Sequence, residues 1–409
     1  MTQLVFEELR QRADYTHKFN TKNNRHGWLR LTPAYGVRVV EELLANERPN
    51  LRVLDPFCGT ATTALCASYH GHTAVTTDIN PFLVWLGKAK AAVYSQQTIE
   101  RSHLAGITAC QLLASPALVP TLPPPIHNIT RWWEPDAIDF LCHLQAAIAQ
   151  TCPAGSAEFN LLNVAFCRSL IACSNAAFNH QSMSFKKASV LASPDYEELF
   201  KRDLAFVLHG AQQNPTGRAD VLLQDARQLG SLSVEPFDLV ITSPPYVNRM
   251  SYIRELRPYM YWLRMLTESR DAGELDWLAI GGTWGIATSR LTEWKPTENA
   301  YHSAPLENVL SRIAHPNNPN GVLLAAYIRK YCVDMAEHFA GLRAVLAPNA
   351  RLHYIVGNSF FYGELVPAEQ LYAHMLEVLG YENINIRAIR KRNSKKGLIE
   401  FDVSAQYIG

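Results

Sequence analysis

Residues 51–78 read LRVLDPFCGTATTALCASYHGHTAVTTD, and the architecture of the chain can be worked out from this pattern. A short apolar run ends in Asp55, the loop PFCGT follows, and a helix-like segment comes next. A second apolar run ends in Asp78, and Asn80 begins a second helix-like segment. Strands that alternate with helices at this spacing predict a parallel sheet with crossover helices.

The same alternation occurs on both sides of this unit. Upstream, Thr32 and Pro33 begin a segment with apolar residues at helical spacing, which predicts a helix from that point. Downstream come ADVLLQDARQL, FDLVITSPPY, a helix at about 320–346, the strand ARLHYIVGNS, a helix at about 367–379 and two final strands around the turn NSKKG. We therefore predict an α/β fold with a mostly parallel seven-stranded sheet that ends in a C-terminal antiparallel hairpin.

Two segments interrupt this pattern. Residues 95–215 contain the proline-rich connection SPALVPTLPPPIHN and helix-like stretches such as ITRWWEPDAIDFLCHLQAAIA, so we predict an inserted, mainly helical region. Residues 268–319 include IGGTWGIATSRLTEW, whose glycines and polar residues predict a loop insertion. Residues 1–94 and 216–409 are then the parts that build the sheet.

The composition fits a globular protein, with 48% apolar and 18% charged residues in 409. A formal net charge of +1 exerts little long-range attraction, so a nucleic-acid partner would have to bind a local basic patch. The N-terminus has no apolar signal region and no stretch approaches the ~20 apolar residues of a membrane span, so we expect a cytoplasmic protein. Eight scattered cysteines without a C-x-x-C pair predict neither a metal site nor a disulfide framework.

Three acids follow predicted strands, at the edge where open α/β sheets bind ligands. Gly59 allows the loop after Asp55 to turn tightly and approach a ligand. Asp78, about twenty residues on, is positioned like the acid that binds a ribose in dinucleotide folds. Asp225 could accept a hydrogen bond from an adenine amino group. Each acid alone is more often a helix cap or a solvated carboxylate, but together they favour a nucleoside-type cofactor. The absence of G-x-G-x-x-G and G-K-[ST] disfavours NAD and ATP.

The strand FDLVI leads to TSPPY, residues 242–246, at the same edge of the sheet. Two prolines fix the φ angles and remove two N–H donors, so the loop presents carbonyl oxygens and the Ser243 hydroxyl in a preset direction. Such acceptors suit the exocyclic amino group of a nucleobase. The Tyr246 ring offers a face on which a base can stack, an interaction worth about 1–3 kcal/mol. The simplest alternative is a strand that ends in a turn.

The motifs DPFCGTATT, DIN at 78–80, DAR at 225–227 and TSPPY, in this order, resemble the S-adenosylmethionine-dependent DNA amino-methyltransferases, especially the cytosine-N4 group of restriction-modification systems. The resemblance covers residues 28–94 and 216–409 and implies a Rossmann-like methyltransferase fold with S-adenosylmethionine as cofactor. It implies that the catalytic loop consists of Ser243, Pro244, Pro245 and Tyr246. It implies cofactor contacts for Thr32, Pro33, Asp55, Phe57, Cys58, Gly59, Thr60, Asp78, Ile79, Asp225, Ala226 and Thr242.

Two positions qualify this resemblance. Ala61 stands where the family usually carries a second glycine, so either residue 61 already lies in a helix or the loop is tighter than usual. Ser243 favours cytosine over adenine, because the adenine-N6 relatives usually carry Asp or Asn there. No Pro-Cys nucleophile is found in a matching context, which argues against carbon-5 methylation. The implied mechanism is direct displacement on a base extruded from the duplex, at a cost of a few kcal/mol.

Double-stranded DNA is the partner that this resemblance implies, together with a cognate restriction endonuclease. A basic cluster around the final hairpin is a candidate phosphate-contacting edge, although a solvated hairpin tip is an equally simple interpretation. Residues 95–215 and 268–319 are candidate segments for base recognition. The DNA-binding candidates are Arg249, Tyr252, Arg390, Lys391, Arg392, Lys395 and Lys396.

Three alternatives stay open at this point. Adenine-N6 methylation differs from the cytosine reaction only in the base held by TSPPY. An RNA guanine-N2 methyltransferase has similar motifs, but those enzymes generally carry an RNA-binding domain ahead of the first helix, where about thirty residues stand here. A non-catalytic module that retains the fold is disfavoured by the intact Ser243, prolines and Tyr246.

Overall fold

The computed structural model describes residues 9–20, 24–29, 31, 35–177, 184–185, 195–282, 286–392 and 397–409. Within these residues, seven strands pair into one sheet: β1 (Arg52–Asp55), β2 (Thr73–Asp78), β3 (Arg218–Leu223), β4 (Phe237–Thr242), β5 (Leu346–Gly357), β6 (Glu382–Lys391) and β7 (Ile399–Tyr407). Their order is β3-β2-β1-β4-β5-β7-β6. The first five are parallel, and β7 is antiparallel to both β5 and β6.

This arrangement confirms the predicted mostly parallel sheet with a C-terminal antiparallel hairpin, and it is the Rossmann-like order of the methyltransferase fold. From β1 the chain adds β2 and β3 on one side, and then β4 and β5 on the other. The crevice at such a switch point, outside the carboxyl ends of the strands, is where open α/β sheets bind ligands. We therefore expect the functional site beyond the ends of β1 and β4.

Among the described residues, the α-helices longer than five residues are α1 (Val37–Leu44), α2 (Thr62–Tyr69), α3 (Pro81–Ala91), α4 (Gln96–Leu113), α5 (Pro135–Thr151), α6 (Ala157–Ala172), α7 (Tyr196–Ala211), α8 (Tyr252–Trp262), α9 (Ser269–Leu278), α10 (Ile286–Leu291), α11 (Ala304–Ile313), α12 (Gly321–Leu342) and α13 (Ala368–Val378). Shorter elements are the single turns His17–Asn20 and Ile129–Trp132, the strand pair Ala176–Ala177 with Ser184–Phe185, and the hairpin Ser359–Phe361 with Glu364–Val366. No helix in the described ranges is long and apolar enough to cross a membrane.

Polar side chains cap the first residues of α3 and α4. Asn80 accepts a hydrogen bond from the Phe82 N–H at 3.0 Å, and Pro81 occupies the first position of α3. Ser95 accepts from the Thr98 N–H at 3.1 Å at the start of α4. These caps satisfy N–H groups that have no partner within the helix, which is why the sequence marks both starts.

The first helix starts later than predicted. Tyr35 forms an isolated antiparallel bridge with Thr16, Gly36 is extended, and α1 begins only at Val37. A Cβ atom at Gly36 would lie 2.6 Å from the Tyr15 carbonyl carbon. The close approach of the N-terminal segment therefore requires glycine and keeps this residue out of the helix.

The described residues between 95 and 215 are mainly helical and contain α4 to α7. Trp133 of this region is fully buried and meets Trp262 of α8 edge to face, with ring centroids 5.7 Å apart. Phe82 of α3 stacks on Tyr259 of α8 at 4.9 Å. The inserted helices thus share one hydrophobic core with helices that flank the sheet.

The prediction of a loop insertion at 268–319 differs from the structure, because this segment contains α9, α10 and α11. A capping box between Glu268 and Asp271 starts α9, and Ser303 caps α11. Gly281 has a φ of 78° and lies in the turn after α9. Gly281 and Gly282, two of the glycines that suggested a long loop, therefore lie shortly after α9, and residues 283–285 lie outside the described ranges.

Arg25 ties the inserted helices to the helix behind the sheet. Its guanidinium is fully buried, and its partners are the carbonyl oxygens of Lys90 at 2.8 Å, Gly210 at 3.1 Å and Ala211 at 2.9 Å, and Asn214 Oδ1 at 2.8 Å. Lys90 lies in the last turn of α3, and Gly210 and Ala211 are the last two residues of α7. One planar cation therefore satisfies the carboxyl ends of two helices that are distant in the sequence.

We expect Arg25→Lys to lower the free energy of unfolding by about 3 kcal/mol, because a single ammonium cannot serve the same spread of acceptors. Urea unfolding of the two proteins measures this difference. Arg48→Lys is the matched control, since the Arg48 side chain is 71% exposed, and it should change the value by less than about 0.5 kcal/mol. Equal small effects of the two changes would contradict the role given to Arg25.

Candidate active site

A cavity of about 700 Å³ lies at the carboxyl ends of β1 to β4. The predicted residues that line it are Phe57, Cys58, Gly59, Thr60, Asp78, Ile79, Asp225, Ala226, Ser243, Pro244, Pro245, Tyr246, Tyr252, Arg390 and Arg392. Predicted residues outside its lining are Asp55, Thr242, Arg249 and Lys391. Thr32, Pro33, Lys395 and Lys396 fall outside the described residues.

The loop between β1 and α2 turns through two residues with left-handed backbone. Gly59 has a φ of 48° and Ala61 a φ of 59°. The Cys58 N–H donates to the Thr77 carbonyl at 2.8 Å and so anchors the loop to β2. Ala61 immediately precedes α2 rather than lying in it. The loop is therefore the tighter of the two alternatives, and a residue with a Cβ atom holds this conformation at a cost of roughly 1–2 kcal/mol.

Asp55 supports this loop from below. Its carboxylate is buried, and Oδ1 accepts from the Phe57 N–H at 3.1 Å and from the Thr242 hydroxyl at 2.6 Å. Oδ2 has no hydrogen-bond partner among the described residues. Burial raises the pKa of Asp55 to about 7, against the opposing effect of these hydrogen bonds. Asp55 and Thr242 therefore connect the loops after β1 and β4 instead of facing the cavity directly.

Asp78 accepts a hydrogen bond from the other side of this loop. Oδ2 accepts from the Gly59 N–H at 3.1 Å and Oδ1 from the Asn80 N–H at 2.9 Å. Burial raises its pKa to about 6, and these hydrogen bonds work in the opposite direction. One carboxylate thus fixes the turn at Gly59 and the start of α3, while remaining at the cavity surface.

These features fit a nucleoside-type cofactor. The cavity has the size of small-molecule sites, which commonly measure about 300–1,000 Å³. A Cβ atom at Gly59 would have only the Phe57 carbonyl within 4 Å, so the loop leaves room on that side. Asp78 offers acceptor oxygens for ribose hydroxyls, and the unpartnered Oδ2 of Asp55 lies beneath the same loop. In the described parts of the chain, no group of three or more metal-ligating side chains is found.

Asp225 lines the cavity but already has a strong partner. It caps the short 3-10 helix Ala226–Ser231, and Arg227 binds it through Nε at 3.0 Å and Nη2 at 2.6 Å. Arg227 also donates to Asp334 at 3.1 Å. Burial opposes ionisation of Asp225, yet the hydrogen bonds and charge of Arg227 hold its pKa below the ordinary value. Asp225 is therefore an ionised, preoriented acceptor.

The TSPPY loop is fixed by hydrogen bonds to three other elements. The Ser243 hydroxyl donates to the Ile355 carbonyl of β5 at 3.0 Å, and the Pro245 carbonyl accepts from the Tyr331 hydroxyl of α12 at 2.8 Å. The Tyr246 N–H donates to the Tyr252 hydroxyl at 3.3 Å. The Ser243 oxygen retains lone pairs as an acceptor, whereas the Pro245 carbonyl already accepts one hydrogen bond within the protein.

Tyr246 is held by the C-terminal hairpin. Its hydroxyl donates to Glu400 Oε1 of β7 at 2.9 Å. Glu400 also accepts from Arg390 of β6 at 2.7 and 2.9 Å. Burial and the nearby Glu400 charge raise the pKa of Tyr246 well above its ordinary value, so its hydroxyl remains a donor. A buried ion pair thus orients the ring that faces the cavity.

The structure places the DNA-binding candidates in different surroundings, with different partners and exposures. Arg390 is paired with Glu400 inside the cavity, with a side chain only 12% exposed, which differs from its expected place on a free hairpin edge. Tyr252 supports the TSPPY loop. Arg249 is exposed, and its N–H donates to the Tyr327 hydroxyl at 3.1 Å. Arg392 lies over the Tyr246 ring.

Sequence reasoning missed Glu400 and the N-terminal segment. Further residues that line the cavity are Gln11, Arg12, Ala13 and Thr16. The Lys391 N–H donates to the Arg10 carbonyl at 3.2 Å, which joins this segment to β6. No local pattern reports such a contact between the two ends of the chain. Glu400 did leave a signal, because an acid in the apolar strand GLIEFDVS needs a buried partner.

We expect Asp55→Asn to flatten the pH dependence of stability. Because the folded pKa of Asp55 is raised, its contribution to stability is fully present below about pH 4 and is lost as the pH rises through about 7. Between pH 5 and 8, urea unfolding should show the wild type losing roughly 2 kcal/mol more than the variant. Asp220→Asn, which changes a 41% exposed carboxylate on β3, should behave like the wild type. Equal losses in wild type and Asp55→Asn would contradict the shift.

No protein-family model matches the chain. The chain is 23% identical over 200 residues to the Type II methyltransferase M.BsoBI of Geobacillus stearothermophilus, a match that spans 44% of this chain and 38% of that enzyme. TrmN of Thermus thermophilus aligns with a TM-score of 0.32 at 11% identity, over 96% of this chain and 52% of TrmN. An S-adenosylmethionine-dependent methyltransferase of Methanosarcina mazei aligns with a TM-score of 0.32 at 10% identity, over 90% and 97% of the two chains.

These TM-scores are too low to carry an argument. The fold is assigned from the strand order, and the likeness to a methyltransferase from the sequence match. The chain has a methyltransferase fold, its sequence resembles a methyltransferase, and S-adenosylmethionine is the cofactor that its cavity fits.

Proposed function

We propose that this protein transfers a methyl group from S-adenosylmethionine to the N4 amino group of cytosine at a specific site in double-stranded DNA. The observation that carries the proposal is the meeting of two loops at one cavity: the loop containing Gly59 and the loop Ser243–Tyr246 line the same 700 Å³ space. A cofactor site next to an acceptor-rich loop with an aromatic ring is what methylation of a base amino group needs.

In this proposal the cofactor is held by the residues around the β1 loop. Gly59 and Thr60 approach it through the backbone, Asp78 accepts from the ribose and Asp225 from the adenine amino group. Phe57 packs edge to face on His338 at 4.9 Å, which gives the adenine a rigid apolar neighbour. When bound, S-adenosylmethionine supplies an electrophilic methyl group on a sulfonium centre.

The TSPPY loop orients the nucleophile. Ser243 and the loop carbonyls that remain available accept the N–H bonds of the amino group, which draws its lone pair out of conjugation with the ring. Tyr246 stacks on the base, an interaction worth about 1–3 kcal/mol that offsets part of the few kcal/mol needed to extrude the nucleotide. The displacement needs no covalent bond to the enzyme, so the protein contributes orientation and hydrogen bonds.

Ser243 favours cytosine over adenine, and the resemblance of the four motifs to the DNA amino-methyltransferases favours DNA over RNA. A cognate restriction endonuclease is the partner proposed with this activity. Incubation with methyl-labelled S-adenosylmethionine and DNA, followed by mass analysis of the nucleosides, tests the base. N6-methyladenine would identify the adenine alternative, and labelling of RNA in place of DNA would identify the guanine-N2 alternative.

We expect Ser243→Ala and Tyr246→Ala to reduce methyl transfer at least a hundredfold while cofactor affinity stays within a few-fold, because both residues hold the base. Tyr246→Phe keeps the ring and loses only the bond to Glu400, so its activity should lie between those of the wild type and Tyr246→Ala. Ser289→Ala, on the exposed face of α10, is the control and should be fully active. Unchanged turnover in both alanine variants would contradict the assignment of this loop.

We expect Asp225→Ala to weaken cofactor binding by about tenfold or more, since a hydrogen bond to a charged acceptor is worth about 1.5–3 kcal/mol. Isothermal calorimetry with S-adenosylmethionine measures the affinity. Asp220→Ala, on the preceding strand β3 and with a side chain 41% exposed, should bind like the wild type. An unchanged affinity of Asp225→Ala would remove this residue from the cofactor site.

A further inference from the structure

Arg392 occupies an unexpected place at the mouth of the cavity. It follows β6 directly, and its guanidinium carbon lies 4.8 Å from the centroid of the Tyr246 ring. Both residues line the same cavity. The cation therefore covers a face of the aromatic ring to which the proposed function assigns base stacking.

Several contacts build this arrangement. Arg392 Nη1 donates to the Asn358 carbonyl at 2.8 Å, and the Arg392 N–H donates to the Leu398 carbonyl at 2.9 Å. A Cβ atom at Gly357 would lie 2.3 Å from Arg392 Nη1 and 2.9 Å from Tyr246 Cε2. Glycine at the end of β5 thus provides the space in which the guanidinium and the ring meet.

The neighbouring arginines differ from Arg392 in their partners. Arg390 is bound to Glu400 and Arg387 to Asp402, so carboxylates of β7 neutralise both. For Arg392, the recorded side-chain contacts among the described residues are a carbonyl oxygen and the Tyr246 ring, and no ion pair is found there. Its planar cation is therefore free to exchange one flat partner for another.

We propose that Arg392 is a stacking residue of the base site: in the empty site it covers Tyr246, and it moves to cover the exposed face of the base that enters. This inference rests on the proposed function. When a base enters, stacking of the base replaces the cation on the Tyr246 ring, and the guanidinium gains the other face of the base. Guanidinium planes stack on bases as they do on aromatic rings, whereas an ammonium has no plane to stack.

This role differs from the phosphate contact expected from the sequence, and binding measurements separate the two. The probes are a mixed-sequence single-stranded oligodeoxynucleotide, which requires no extrusion, and an abasic oligonucleotide with the same backbone. Wild type, Arg392→Ala and Arg392→Lys are compared over a range of salt concentrations. Arg387→Lys is the matched control, because Arg387 lies on β6, shortly before Arg392, and is paired with Asp402.

A stacking role predicts that Arg392→Ala and Arg392→Lys both weaken binding of the normal oligonucleotide about fivefold or more. It also predicts no change for the abasic one and an unchanged slope of log affinity against log salt. Full rescue by lysine, an equal loss on the abasic oligonucleotide, or a slope reduced by about one in Arg392→Ala would overturn the inference. Normal binding by both variants would overturn it too.

Two further measurements separate the stacking role from an altered fold and from failure of the proposed reaction. Cofactor affinity by calorimetry should stay within twofold in both variants, which shows that an altered fold does not cause the loss. Methyl transfer by the wild type tests the proposed reaction separately. Base-dependent binding through Arg392 without methyl transfer would contradict the reaction and leave the stacking role standing.

Discussion

The hydrogen bond from the Thr242 hydroxyl to the Asp55 carboxylate, 2.6 Å long, is the contact on which the site depends. It joins the ends of β1 and β4, the two central strands at which the winding of the sheet changes side. The loop that approaches the cofactor leaves from one strand, and the TSPPY loop leaves from the other. Burial raises the pKa of the Asp55 carboxyl to about 7, and the hydrogen bond from Thr242 works against this rise.

The TSPPY loop receives its second support from the far end of the chain. Glu400 binds the Tyr246 hydroxyl and is itself held by Arg390, and Ser243 donates to a carbonyl of β5. The antiparallel hairpin therefore does more than complete the sheet. Its buried ion pair determines how the ring of Tyr246 faces the cavity, and Arg392, which directly follows β6, lies on that ring.

The loops at the carboxyl ends of the parallel strands could be predicted from local patterns, whereas much of the remaining cavity lining could not. Acids after apolar runs identified Asp78 and Asp225, and the rigid loop identified Ser243 to Tyr246, because strand ends in a parallel sheet share one edge. The basic cluster near residue 390 was read as a free surface, since sequence reports charge but not the carboxylate across the strand pair. The N-terminal segment carried no signal, because it lines the cavity only through contacts with β6 and Gly36.

The sequence by itself determined the order of the strands, the inserted helical region and the two loops that line the cavity. These follow from short-range periodicity, caps and turn residues, which act within a few positions along the chain. Only the tertiary structure decided which charges are neutralised, which carbonyl of the TSPPY loop is already used, and what covers Tyr246. Those properties come from side chains that meet across strands far apart in the sequence, and pairing of that kind depends on the register of the folded sheet.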